Sequence, residues 1–164
     1  MSDLKAISQD AIPRALEKAD RYRLLNEPPG AESICLDILA ADPSNQEALV
    51  ILLLALTDQF GHAYRMSEIN PHDLIPKLSD PYEKTYYAGI IQERQAQAVL
   101  DQNKPDAAYI AHDLLTSAME NFEQAAAIRP AGNDDALLRW NTCARMVNSR
   151  SVQPRPDAGE LPLE

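Results

Sequence analysis

The chain is poor in the residues that usually announce chemistry. Of its 164 residues only two are cysteines, Cys35 and Cys143. They are far apart in sequence and match no metal-ligand spacing, so they read as reduced core residues of a cytosolic protein. The three histidines, His62, His72 and His112, have no partners at metal-ligand spacing, and HExxH is absent. Gly-rich phosphate loops and nucleophile elbows are absent too. Glycine is scarce, at five residues, and long alternations of branched residues are missing, which argues against β-structure. Aromatics make up 5% against 45% hydrophobic residues overall, so the core must be built from Ala, Leu and Ile. The longest apolar run, Ala48 to Leu56, is far too short to span a bilayer, and the start, Met1-Ser2-Asp3-Leu4-Lys5, lacks a signal-peptide pattern. Positive charge is in deficit: net charge is −10 and the pI about 4.7. An acidic surface repels phosphate backbones, which argues against nucleic acid as a partner and suits solubility or a basic protein segment.

What is present is a recurrence. Three stretches run from an amphipathic segment to a polar residue and then proline: Ala31 to Pro43, the segment closing at Asp80-Pro81, and Ala118 to Pro130. Proline stops a helix because it cannot donate the next hydrogen bond. Counting back from Pro43 places Ala19 at a small position, Tyr22 at an aromatic one, then Ala31 and Cys35. From Pro130 the count gives Ala118 and Phe122, and Trp140-Asn141-Thr142-Cys143-Ala144-Arg145-Met146-Val147 opens a further unit. In the middle, Leu53, Leu56 and Phe60 keep a first-helix pattern, but Asn70-Pro71 and Pro76 break what should be the second helix. Asn70 reads as an N-cap with proline at the first helical position.

In these residues the chain resembles the tetratricopeptide (TPR) family, whose 34-residue unit reads W-x2-L-G-x2-Y, A-x3-F, P. It is similar to bacterial members with a terminal Asn-Asp-Asp-Ala…Arg-Trp-Asn block, here Asn133 to Asn141. The Pro43-to-Pro81 spacing exceeds the unit by about one helical turn and the Pro81-to-Pro130 spacing by about four. One elongated hairpin absorbs that surplus: Pro81 to Asp101, a turn at Asn103-Lys104-Pro105-Asp106, then Pro105 to Ile128. The resemblance implies an all-α fold, residues 1–148, of antiparallel helix pairs stacked as a short right-handed superhelix with a C-terminal capping helix. Residues 149–164, rich in proline, are expected to form a disordered tail, with Leu161-Pro162-Leu163 as a docking element at best.

The family binds partners on the concave side, lined by first helices. Carried over position by position, this implies Asn141, Arg145 and Asn148 on the groove face of the last helix. It implies Leu16, Asp20 and Arg23 in the first repeat, and Tyr86, Glu93 and Arg94 on the long helix. Partner contacts are therefore expected at Arg23, Tyr86, Arg94, Asn141, Arg145 and Asn148. The family's carboxylate clamp is not reproduced. Tyr82, Tyr86 and Tyr87 suit either packing of the hairpin or a binding hot spot. Arg139 and Arg145 read equally as solvated or binding residues, and Glu93 as part of an ion-pair network. Trp140, at the motif aromatic position, is expected in the core, where truncation costs about 3–5 kcal/mol. The implied function is a cytoplasmic, non-catalytic adaptor that holds another protein or peptide, with neither cofactor, metal, nucleic acid nor membrane. A secretion-chaperone-like client holder and a self-assembling homodimer are the alternatives.

Overall fold

A computed structural model describes residues 1–157; the expected Leu161-Pro162-Leu163 element lies outside them. The described chain is all-α: six α-helices, two short 3-10 helices and no strand. It divides into two compact units, residues 1–87 and residues 88 onward.

In the first unit, α1 (Ile12–Leu24) and α2 (Pro28–Ala41) form a hairpin, and α3 (Gln46–Asp58) packs on α2. Each boundary has a local cause. Asn26 turns the chain at φ 60°, a left-handed conformation that asparagine tolerates better than most residues. Pro28 and Pro29 then occupy the first two positions of α2, where a missing N–H costs nothing. The Asn45 Oδ1 accepts from Ala48 N at 2.9 Å and caps α3. Helix α3 is buried almost all round, by Ala48, Leu49, Ile51, Leu52, Leu53, Ala55, Leu56 and Thr57. Each fully buried leucine there contributes about 1.5–3 kcal/mol. Ala19, Ala31 and Cys35 are fully buried, and the Tyr22 ring lies against Gly30, where an added Cβ would stand 3.2 Å from Cδ2.

The broken second helix of the middle segment is a 3-10 helix, Pro71–Lys77. Asn70 Oδ1 caps it by accepting from His72 N at 3.0 Å, and Leu74 and Leu78 bury beneath it. Gln46 fastens the end of this segment: its Oε1 accepts from Ser79 N at 2.9 Å and its Nε2 donates to Lys77 O at 3.3 Å. The long hairpin follows, α4 (Pro81–Gln102) and α5 (Ala107–Ala127), with Asn103 at φ 50° in the turn.

In the second unit, Gly89 on α4 faces Phe122 on α5. A Cβ at residue 89 would stand 2.7 Å from Phe122 Cε1, so only glycine lets the ring reach the α4 backbone. A polar ladder runs beside it: Gln92 Nε2 donates to Ser117 Oγ, and Asn121 Nδ2 donates to Gln92 Oε1, both at 2.8 Å. Helix α6 (Asp135–Val147) packs on α5 and buries Ala136 and Cys143.

Two expectations are corrected here. Trp140 is half-exposed, and its Nε1 donates to the exposed Glu123 at 3.1 Å. Among the described elements α6 packs on α5, which leaves one face of Trp140 open, so truncation costs less than a core value. The solvated tail does not begin at residue 149. Val152 is 4% exposed, Gln153 N donates to Ala108 O at 3.3 Å, and Arg155 Nε lies 3.0 Å from Asp113 Oδ2. One buried valine, a backbone hydrogen bond and an ion pair together dock the segment that carries them. Val152→Ala is expected to cost about 1–2 kcal/mol, at roughly 0.8 kcal/mol per buried methyl-sized group, read as a lowered unfolding midpoint.

Candidate functional site

The residues implied by the family pattern fall in different settings. Arg23 spans from α1 to α3, its Nε 2.6 Å from Asp58 Oδ2 with both side chains largely buried. Tyr86 is half-buried between neighbours, stacked on Tyr82 at 5.6 Å and meeting Tyr87 edge-on at 5.1 Å. Arg94 is half-buried on α4. Asn141, Arg145 and Asn148 are all exposed, the first two on α6 and the third at its C-cap, and spacings of four and three put them on one face. Arg23 and Tyr86 belong to the first unit, the other four to the second.

Arg139 is not a solvated arginine. Its Nη1 lies 3.2 Å from Oε1 of Glu93, a carboxylate that is 0% exposed. Glu93 Oε2 is buried and accepts no hydrogen bond from the described residues. Burial raises the Glu93 pKa above 4.5, opposed by the charges of Arg139 and Arg94 and by the Arg139 hydrogen bond. Cys143 is buried on α6, and its thiol is pushed up to about 12, first by burial and then by the Glu93 charge. Cys35 is likewise pushed up to about 12, by burial and by Glu32. Neither thiol is then a thiolate near neutral pH. A thiol reagent at pH 8 is expected to label the folded chain negligibly and both cysteines once denaturant is added.

Among the described residues, the concavities on the first unit's surface include four of note. One, of about 800 Å³, is bounded by α1 alone, through Arg14, Lys18, Arg21 and neighbours, and is an open helix flank rather than an enclosure. About 320 Å³ lies between residues 4–9 and the outer face of α2. A third, about 330 Å³, draws on three helices: Asp20 from α1, Gln46, Glu47, Val50 and Ile51 from α3, and Glu83 from α4. Three carboxylates surround an apolar floor there, and burial and the nearby Asp80 raise the Glu83 pKa. The fourth, about 260 Å³, is walled by Asn26, Pro28, Pro29, Gln59, His62, Ala63 and Tyr64. Of these residues sequence reasoning had placed only Asp20 on a binding face. Glu47 and Glu83 follow the same first-helix logic, and Gln59 gave no signal because polarity does not forecast burial.

Among the described residues no three His, Cys, Asp or Glu side chains are grouped to hold a metal ion, and no helix is long and apolar enough to cross a membrane. Compared with protein-family models, with curated proteins and with solved structures, the chain matches none.

Proposed function

We propose that this chain is a non-catalytic, TPR-like adaptor that docks a basic segment of a partner protein on the face shared by its first helices. The observation that carries the reading is the cleft to which α1, α3 and the start of α4 each contribute a carboxylate, Asp20, Glu47 and Glu83, around Val50 and Ile51. An apolar floor with a charged rim is the anatomy of a peptide-docking surface. The net charge of −10 steers a cationic segment toward it. A face built on helices is largely preformed, so little ordering cost falls on the receptor. The two buried, protonated thiols support a cytoplasmic setting. By the same family pattern Asn141, Arg145 and Asn148 make a separate candidate contact face within the second unit.

The test is quantitative affinity capture, read by mass spectrometry, with wild type beside Asp20→Lys/Glu47→Lys. Both side chains are exposed, so the fold should survive, as circular dichroism will check. Partners enriched by wild type are expected to carry basic segments and to fall at least tenfold with the double variant. Equal recovery of the same partners would refute the docking face. The companion pair Asn141→Ala/Arg145→Ala tests the second unit's face by itself: partners captured there should fall while the helix content stays unchanged.

A further inference from the structure

The cleft at the α1–α2 turn shares no residue with the docking face, and it carries an oddity of its own. Gln59, on its wall, is 2% exposed. Its Nε2 donates to Glu32 Oε2 at 2.7 Å and to Ala55 O at 3.0 Å, which fixes which end of the amide is which. Oε1 is therefore an acceptor, and it is buried without a donor among the described residues. A buried acceptor without a donor is costly to keep, and a ligand that brings an N–H relieves it.

The surrounding charge says what kind of ligand. Glu32 is 1% exposed, and its two oxygens are held by neutral donors, Gln59 Nε2 and Ser67 Oγ. Helix α1 ends at Leu24, two residues before Asn26, and Gln59 is itself the C-cap of α3. Two helix C-termini thus reach this cleft, each with partial negative charge. The N-terminus of α2 opens there too, but Pro28 and Pro29 take its first two positions and have no N–H to offer an anion. The site favours a cation with several N–H donors.

The rim narrows the choice further. Beyond Met1 and Leu4, the exposed large apolar side chains of the first unit are Leu24, Leu25, Tyr64 and Met66. Each is a wall residue or within two positions of one. Tyr64, 71% exposed, presents an aromatic ring, on which a guanidinium stacks better than an ammonium does. Oε1 is itself buried, so a planar group reaches it by displacing part of the wall, where His62, Ala63 and Tyr64 are all exposed.

We infer that this cleft receives an arginine side chain from a partner protein, the guanidinium donating to Gln59 Oε1 and stacking on Tyr64, with apolar neighbours of that arginine on Leu24, Leu25 and Met66. The inference goes beyond the docking face and stands whether or not that face binds.

The probe is the peptide acetyl-Leu-Arg-Leu-amide, titrated into the 15N-labelled full chain beside its lysine and citrulline counterparts. The expected result is saturable shifts at the amides of Gln59, His62, Ala63 and Tyr64. Citrulline keeps the shape without the charge and should bind at least tenfold more weakly, lysine roughly fivefold. Tyr64→Ala, at an exposed ring, should weaken the arginine peptide roughly fivefold, in line with a lost cation–π contact. Gln59→Leu should weaken it further; because that change also frees Glu32, its amide spectrum must first show the native fold, and Tyr64→Ala decides if it does not. Shifts absent at about 10 mM peptide, equal binding of citrulline, or undiminished binding to Tyr64→Ala would overturn the inference. Shifts confined to Asp20, Glu47 and Glu83 would overturn it too while sustaining the docking face.

Discussion

Phe122→Ala is expected to lower the unfolding free energy by about 3–5 kcal/mol, the range for a large aromatic removed from a core. In a chain of this size that is a fall of roughly 10 °C in the unfolding midpoint. Phe122 is fully buried, and its ring lies against the backbone of α4 at Gly89. The truncation opens a cavity where the ring meets the α4 backbone. The reciprocal variant sharpens the test. In an ordinary helix interior, Gly→Ala gains about 1 kcal/mol through propensity. At Gly89 the new methyl would meet three ring atoms of Phe122 within 3.0 Å, and that ring is fully buried. Overpacking of this kind costs about 1–3 kcal/mol, so Gly89→Ala alone should destabilise. In the Phe122→Ala background the same methyl fills part of the cavity, and its effect should change sign. Additive costs in the double variant, measured by thermal or urea unfolding, would show that the glycine and the ring are not a steric pair.

This pair also shows what sequence reasoning can reach. Small and aromatic residues at fixed distances from a proline report a steric requirement of helix crossing, and that requirement survives without knowledge of the neighbours. Ala19, Ala31, Cys35, Ala118 and Phe122 were placed in the core that way, and all are buried. The Asn70 cap and the turn at Asn103 were legible for a similar reason, since both are local. Long-range polar pairing was not. Glu32 with Gln59, and Glu93 with Arg139, bring together residues from separate helices, and only the packed register decides which polar side chains meet. Val152 was invisible because one valine between Ser151 and Gln153 in a proline-rich stretch makes no periodicity. Trp140 was misjudged because the motif gives the position on a helix, not the number of neighbours that helix has.

Removing the Arg139 guanidinium should be nearly as damaging as removing Phe122. Glu93 is a wholly buried carboxylate on α4; Arg139 on α6 supplies its shorter hydrogen bond, at 3.2 Å against 3.5 Å from Gln97 Nε2, and a nearby charge. Breaking one side of a buried ion pair costs about 3–5 kcal/mol, because the remaining charge is stranded. The lower end is expected for Arg139→Ala, about 3 kcal/mol, since its side chain is 35% exposed and the Arg94 charge still favours the carboxylate. Replacing both members, Glu93→Leu with Arg139→Leu, should return stability to within about 1 kcal/mol of wild type or above it, because well-packed apolar groups often match a buried pair. The pH dependence has a definite sign. Burial holds the folded-state pKa of Glu93 above 4.5, so folding favours the protonated form. That contribution is fully present below the unfolded-state pKa and is lost as pH rises through the folded one. The stability of wild type relative to Glu93→Gln should therefore fall as pH climbs from about 4, by at most about 1.4 kcal/mol per unit, and then level off. Arg139→Ala, by removing charges that oppose the burial, should push the levelling point to higher pH. Urea unfolding of the three chains between pH 4 and 8 measures this directly. A relative stability that rose with pH would mean that the arginines outweigh burial and that Glu93 is held as a paired anion throughout.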